Sequence, residues 1–122
     1  MKARVLWLLL LAGCASPDRF AQPDATWQTR IGQAKFVSGT RTLVGEVTVT
    51  TRGKNFVLDF RKGPGLPLLT IRSDGATTRY DGMLSHGSRD LWERVHAALA
   101  MGRAARVRIA GDDAAMDFQF AN

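Results

Sequence analysis

Thr42-Leu43-Val44-Gly45-Glu46-Val47-Thr48-Val49-Thr50-Thr51, followed by Arg52-Gly53-Lys54-Asn55 and then by Phe56-Val57-Leu58-Asp59-Phe60-Arg61, decides the fold class of this chain. On the first arm Leu43, Gly45, Val47 and Val49 alternate with Val44, Glu46, Thr48 and Thr50. On the second, Phe56, Leu58 and Phe60 alternate with Val57, Asp59 and Arg61. Strand side chains point to opposite faces with a period of two, so each arm reads as a strand with one apolar face. The abundance of Val and Thr agrees. The Gly and Asn between the arms close them into a hairpin.

Working outward, Lys62-Gly63-Pro64-Gly65 breaks the second strand. Residues 66–72 resume it, with Leu69 and Ile71 on one face and Leu68 and Thr70 on the other. Ser73-Asp74-Gly75 turns the chain into a short strand over 76–80 that ends at Asp81-Gly82. Tight connections make these four strands antiparallel neighbours. The period then changes. Over 90–101, Leu91, Trp92, Val95, Ala98 and Leu99 fall on one helical stripe, while Arg89, Glu93, Arg94 and Ala97 take the other side. Ser88 is the expected N-cap, Asp90 suits the positive end of the helix, and Gly102 is the expected C-cap. Residues 106–110 and 116–121 then form a second hairpin around Gly111-Asp112-Asp113, with Val107 and Ile109 matching Met116, Phe118 and Phe120. The expected fold is α+β: a curved antiparallel sheet of six to seven strands, an open half-barrel, with one amphipathic helix packed on it.

The N-terminus reads as an address. Lys2 and Arg4 precede an apolar run over 5–12 and then Gly13-Cys14. That run is too short for a bilayer span of about 20 residues, and it has the order of an export signal. Leu11-Ala12-Gly13-Cys14 looks like a bacterial lipobox, in which the cysteine thiolate accepts a diacylglyceryl group as a thioether. Each buried methylene adds roughly 0.8 kcal/mol, so two or three acyl chains anchor a protein almost permanently. Cys14 is the only cysteine, which excludes an internal disulfide framework and any cysteine-based zinc cluster. The expected organisation is a signal peptide over 1–13, the lipidated Cys14 and a tether over 14–26, and one sheet-plus-helix domain over 27–122. Ser16, Pro17, Asp18, Pro23 and Asp24 give the tether its composition. Phe20 is its exception, placed either at the membrane or on the domain. By likeness to Gram-negative sorting, Ala15 after the cysteine favours the outer membrane, facing the periplasm.

The chain carries 17 Lys+Arg against 11 Asp+Glu, a balance that suits a surface near anionic headgroups. No basic cluster interleaved with aromatics is present, so nucleic acid is not an expected partner. His86 and His96 lie ten apart, which fails the spacing of a helical zinc pair. His86, in Ser85-His86-Gly87-Ser88, reads as a solvated loop residue, and His96 as half-exposed at the edge of the apolar stripe. Ser85, His86 and Asp81 have the residue types of a triad without a nucleophile-elbow pattern. Asp59 and Asp81 act as paired carboxylates only if the fold unites them. A cross-strand partner such as Arg72 or Arg79 is the expected neighbour of Asp59. Lys62-Gly63-Pro64-Gly65 lacks phosphate-loop spacing and reads as a turn. No enzyme activity, metal or cofactor is expected.

Val44-Gly45-Glu46-Val47, Phe56-Val57-Leu58-Asp59-Phe60 and Lys62-Gly63-Pro64-Gly65-Leu66-Pro67-Leu68-Leu69-Thr70-Ile71 together resemble the sheet of small LolB-like bacterial lipoproteins. Arg79-Tyr80-Asp81-Gly82 and the Leu91-Trp92 helix continue the likeness, which covers residues 30–100. The resemblance implies an open β-barrel with a helical lid that accepts lipoprotein acyl chains and passes them to the outer membrane. The mature chain is much shorter than full LolA or LolB domains. Leu58, Phe60, Leu69, Ile71, Trp92 and Leu99 are then the candidate ligand wall. Two readings follow. In the first, the chain is a non-enzymatic, membrane-anchored envelope lipoprotein that binds an acyl chain or lipid on the concave sheet face. In the second, it is an anchored interaction or structural module with a filled core, meeting an envelope protein through a strand edge or an Arg-rich face.

Overall fold

Two glycine-first loops start the sheet. In the computed structural model, which describes residues 20–121, β1 (Gln28–Ser38) and β2 (Arg41–Arg52) are joined by Gly39-Thr40. The chain then passes through Gly53-Lys54 to β3 (Asn55–Arg61). Gly39 and Gly53 take φ of 60° and 59°. Glycine enters this left-handed region without a Cβ penalty, and a two-residue loop matched to strand twist needs it. β4 (Pro67–Ser73) and β5 (Thr78–Asp81) continue the meander. A 3-10 turn (Met83–His86), α1 (Arg89–Met101), β6 (Arg106–Ala110) and β7 (Ala115–Phe120) complete the described chain. The stretch expected to be a lipobox, with Cys14, lies outside the described residues.

All seven strands form one open antiparallel sheet in the order β5-β4-β3-β2-β1-β7-β6. The fold is α+β, as expected, with seven strands and one α-helix among the described residues. Val47 pairs with Phe60 and Val49 with Leu58, so the first hairpin keeps its apolar residues on one face. In the second, Val107 faces Phe118 and Ile109 faces Met116. That hairpin docks by β7 onto β1, where Ala34 meets Phe118 and Phe36 meets Met116. First and last strands are therefore neighbours.

The sheet curls. Seven flat strands would separate β5 from β6 by roughly 29 Å at about 4.8 Å per strand. Yet consecutive residues at the start of α1 meet structure beside both edges. The Arg89 guanidinium lies 4.7 Å over the Tyr80 ring of β5, and Asp90 Oδ2 accepts the Asp112 amide of the β6–β7 turn at 2.7 Å. Two strand glycines permit the bend. A Cβ on Gly32 would sit 2.7 Å from the Phe120 Cα, with the Gln119 carbonyl oxygen closer still. One on Gly45 would lie 2.9 Å from the Arg61 carbonyl carbon, again with the oxygen closer. At both points a neighbouring backbone folds over the inner face, the role of glycine at a sheet corner.

At two points the structure differs from the local pattern. Leu68 does not face away from Leu69: both are buried, at 1% and 0% exposure. The register shifts between Phe60 and Arg61, which pair with Leu69 and Pro67, so Leu68 is an extra residue that the bulge turns inward. Ser88 occupies the N-cap position in left-handed geometry (φ 55°, ψ 37°) and makes no side-chain cap bond. A cap oxygen reaches the first helical amides from extended backbone, and the left-handed turn aims it elsewhere. Gly102 is the C-cap in extended geometry, its amide donating to the Ala98 carbonyl at 2.9 Å. The segment expected as a tether touches the domain at two points, through the buried Phe20 and through Arg52 Nη1, which donates to Thr26 Oγ1 at 2.9 Å, while residues 21–26 are exposed.

Candidate functional site

The candidate wall residues come together on the inner face. Leu58 and Phe60 stand on β3, Leu69 and Ile71 on β4, and Trp92 and Leu99 on α1, so the sheet and helix stripes meet as their periods require. Leu58, Phe60, Leu69, Ile71 and Trp92 are 0% exposed and Leu99 2%. Phe36 of β1 joins the wall from outside the candidate set. It packs on Trp92 with ring centroids 5.5 Å apart, a tilted pair of the kind aromatic quadrupoles favour. The alternation of Ala34 and Phe36 with Lys35 carried the signal.

Polar bonds hold the first half of the helix and the segment just after its C-terminal end. Trp92 Nε1 donates to the carbonyls of Leu84 and Gly87, each at 2.9 Å, so the indole is buried with its one polar atom satisfied. Beside it, Asp90 holds the Asp112 amide and Arg94 Nη1 donates to the Ala110 carbonyl at 2.7 Å. The hydrogen bond from the Asp112 amide keeps the Asp90 carboxyl below its ordinary range. At the other end, Arg30 of β1 donates to the Gly102 carbonyl at 3.3 Å and to that of Ala104, with its guanidinium 4.1 Å over Phe120. Arg30 likewise lies outside the candidate set. An arginine at an inward-facing register position is its sequence signal.

His96 is half-buried at the edge of the stripe, as expected, with its ring centroid 4.8 Å from that of Phe56. Burial disfavours the imidazolium and lowers its pKa from 6.5. The unfolded chain binds a proton near pH 6.5 that the folded chain resists. Stability is therefore full above that pH and falls as pH drops from it towards the folded pKa. In His96→Gln that decline should disappear from urea midpoints measured across mildly acidic pH; an unchanged slope would assign it to another group.

The loop candidates do not converge. Ser85 Oγ donates to the Gly82 carbonyl at 2.6 Å, Asp81 pairs with Arg79 at 2.9 Å, and His86 ends the 3-10 turn with an exposed ring. Asp59 pairs with Arg61 on its own strand at 2.7 Å, rather than across to Arg72 or Arg79. Residues two apart share a face, which brings the guanidinium within reach. Asp59 and Asp81 lie in one register row with Thr70 between them, about 9–10 Å apart at the usual strand spacing. The Lys62–Leu66 segment is a closed turn, Lys62 donating its amide to the Leu66 carbonyl at 3.0 Å. Among the described residues, no three His, Cys, Asp or Glu side chains gather to hold a metal, and no helix is long and apolar enough to cross a membrane.

Depressions lie elsewhere. One of about 530 Å³ runs past Ile31, Gln33, Glu46 and Gln119, and a second of about 230 Å³ past Lys35, Val44, Arg106 and Asp117. A third of about 130 Å³ involves Val37, Arg108 and Ala115. None of the three is lined by a wall residue. No family model, curated protein or solved structure matches the chain. The likeness to LolB-like lipoproteins thus rests on the residue strings.

Proposed function

We propose that this chain is a non-enzymatic lipoprotein of the bacterial envelope, anchored through Cys14, whose interior is filled and whose work is done by contacts on its surface. The observation that carries this reading is the burial of the wall. Leu58, Phe60, Leu69, Ile71, Trp92 and Leu99 are at most 2% exposed and pack on one another across the sheet and helix. An acyl chain needs the space that these side chains occupy, and a close-packed interior has none to spare. The bonds from Arg30, Asp90, Arg94 and Trp92 that fasten α1 also argue against a freely opening lid.

The anchor fits this reading. Phe20 is buried on the domain, and the six residues of chain that separate it from Cys14 can span at most ~20 Å. The domain would stand close to the outer-membrane surface, facing the periplasm. Half-barrel architecture and a helix across its mouth remain what a LolB-like lipid carrier would need, so acyl binding is the competing outcome of the test. Native mass spectrometry of the protein released from neutral detergent should give residues 14–122 with a covalent diacylglyceryl modification on Cys14, absent in Cys14→Ser, and no non-covalent adduct. A further non-covalent adduct of fatty-acid or phospholipid mass would overturn the filled interior and restore the carrier reading.

A further inference from the structure

The outer face of the sheet is divided by charge. On the β3–β5 half each carboxylate holds an arginine of its own strand, Asp59 with Arg61 and Asp81 with Arg79. On the other half Lys35, Arg106 and Arg108 share the face with Asp117 as the acid between them, and among the described residues none of the three cations forms an ion pair. Arg106 and Arg108 belong to β6, the terminal strand of the sheet.

Backbone direction makes that edge specific. The Phe120 amide donates to the Ala105 carbonyl at 2.7 Å, and the register then runs Arg106 to Gln119, Val107 to Phe118 and Arg108 to Asp117. Antiparallel ladders alternate, so Val107 and Ile109 bond towards β7, while Arg106, Arg108 and Ala110 direct N–H and C=O away from it. The Ala110 carbonyl is covered by Arg94. No strand of the described chain takes the groups of Arg106 and Arg108.

We propose that the free edge of β6 takes up an extended segment of another protein as an added strand, one with acidic residues at alternate positions facing Arg106 and Arg108. This rests on the reading of the chain as a module that acts through its surface. Main-chain hydrogen bonds supply the pairing and alternate side chains the selection. Acidic side chains fall on the outer face beside the two guanidiniums. The intervening positions fall beside the half-buried Val107 and the buried Ile109, which suits small apolar residues. A second copy of this chain is a poor occupant. Pairing β6 with β6 would bring arginines together across the junction, and like charges directly opposed are destabilising.

The test uses the full chain in neutral detergent and two synthetic peptides, one alternating glutamate with valine and the other lysine with valine. The glutamate peptide should slow hydrogen exchange at the Arg106 and Arg108 amides, with affinity that falls as salt rises. The lysine peptide should do neither. Arg106→Gln combined with Arg108→Gln should weaken binding roughly tenfold. Arg108→Pro removes an outward-facing N–H that β7 does not use, so it should abolish protection with the fold intact. Equal protection by both peptides, or peptide binding that leaves both amides unprotected, would overturn the proposal. So would binding confined to vesicles of phosphatidylglycerol, which would assign the cations to a membrane surface. Each of these failures leaves the filled interior standing; that reading falls on a bound lipid.

Discussion

Gly32→Ala and Gly45→Ala should each lower the unfolding free energy by at least ~3 kcal/mol, the severe end of single substitutions. Neither glycine has a positive φ, so backbone preference is not the cause. The cause is contact. A methyl on Gly32 meets the β7 backbone at Gln119 and Phe120, and one on Gly45 meets the β3 backbone at Arg61. Backbone held in a hydrogen-bonded ladder cannot move aside as a flexible side chain can. Relief would have to flatten the sheet, which would pull the edges away from α1. Urea unfolding measures the loss directly. Gly87→Ala is the control: nothing lies within 4 Å of a Cβ there, and its φ of −144° is open to any residue. A change within ~0.5 kcal/mol is expected for it. Losses at Gly32 and Gly45 no larger than the control's would mean that the curl does not depend on these two positions.

Trp92→Ala should cost ~3–5 kcal/mol, the usual range for removing a buried tryptophan. The side chain is 0% exposed, packs on Phe36, and satisfies two carbonyls with one N–H. Trp92→Phe separates the terms. It keeps most of the ring contact but strips the donor from the Leu84 and Gly87 carbonyls, at a cost of ~1–3 kcal/mol for a buried acceptor left unsatisfied. Urea midpoints and near-ultraviolet dichroism of the two variants measure both quantities. The result also bears on function. A side chain that only roofs an empty cavity can be shortened with little loss of stability, so a small cost for Trp92→Ala would count against the filled interior.

The hairpins and the helix were legible because local periodicity encodes them. Residues 42–51 and 56–61 alternate at period two, and 90–101 repeat at helical spacing, so inner and outer faces follow from the order of residues alone. The candidate wall was legible for the same reason: Leu58, Phe60, Leu69 and Ile71 are the inward positions of adjacent strands. Where local reading failed, another part of the chain had intervened. Leu68 turns inward because Phe60 and Arg61 impose a shifted register on it. Ser88 is drawn into a left-handed turn next to Gly87, whose carbonyl the Trp92 indole holds. Asp59 took the arginine on its own strand rather than one across the sheet.

The sequence by itself determined the helix, six of the seven strands of the described chain, the antiparallel sense of their hairpins and most of their inward residues, and its lipobox-like string at Cys14 is what the anchoring proposal rests on. These depend on neighbours a few residues apart, where period and turn chemistry act. The tertiary structure alone decided that β7 lies against β1, that the sheet bends at Gly32 and Gly45, and that α1 spans the space between its edges. It also decided that Arg106 and Arg108 end on a free edge. Those outcomes depend on contacts between distant segments, where shape and packing choose among arrangements that the same local pattern would allow.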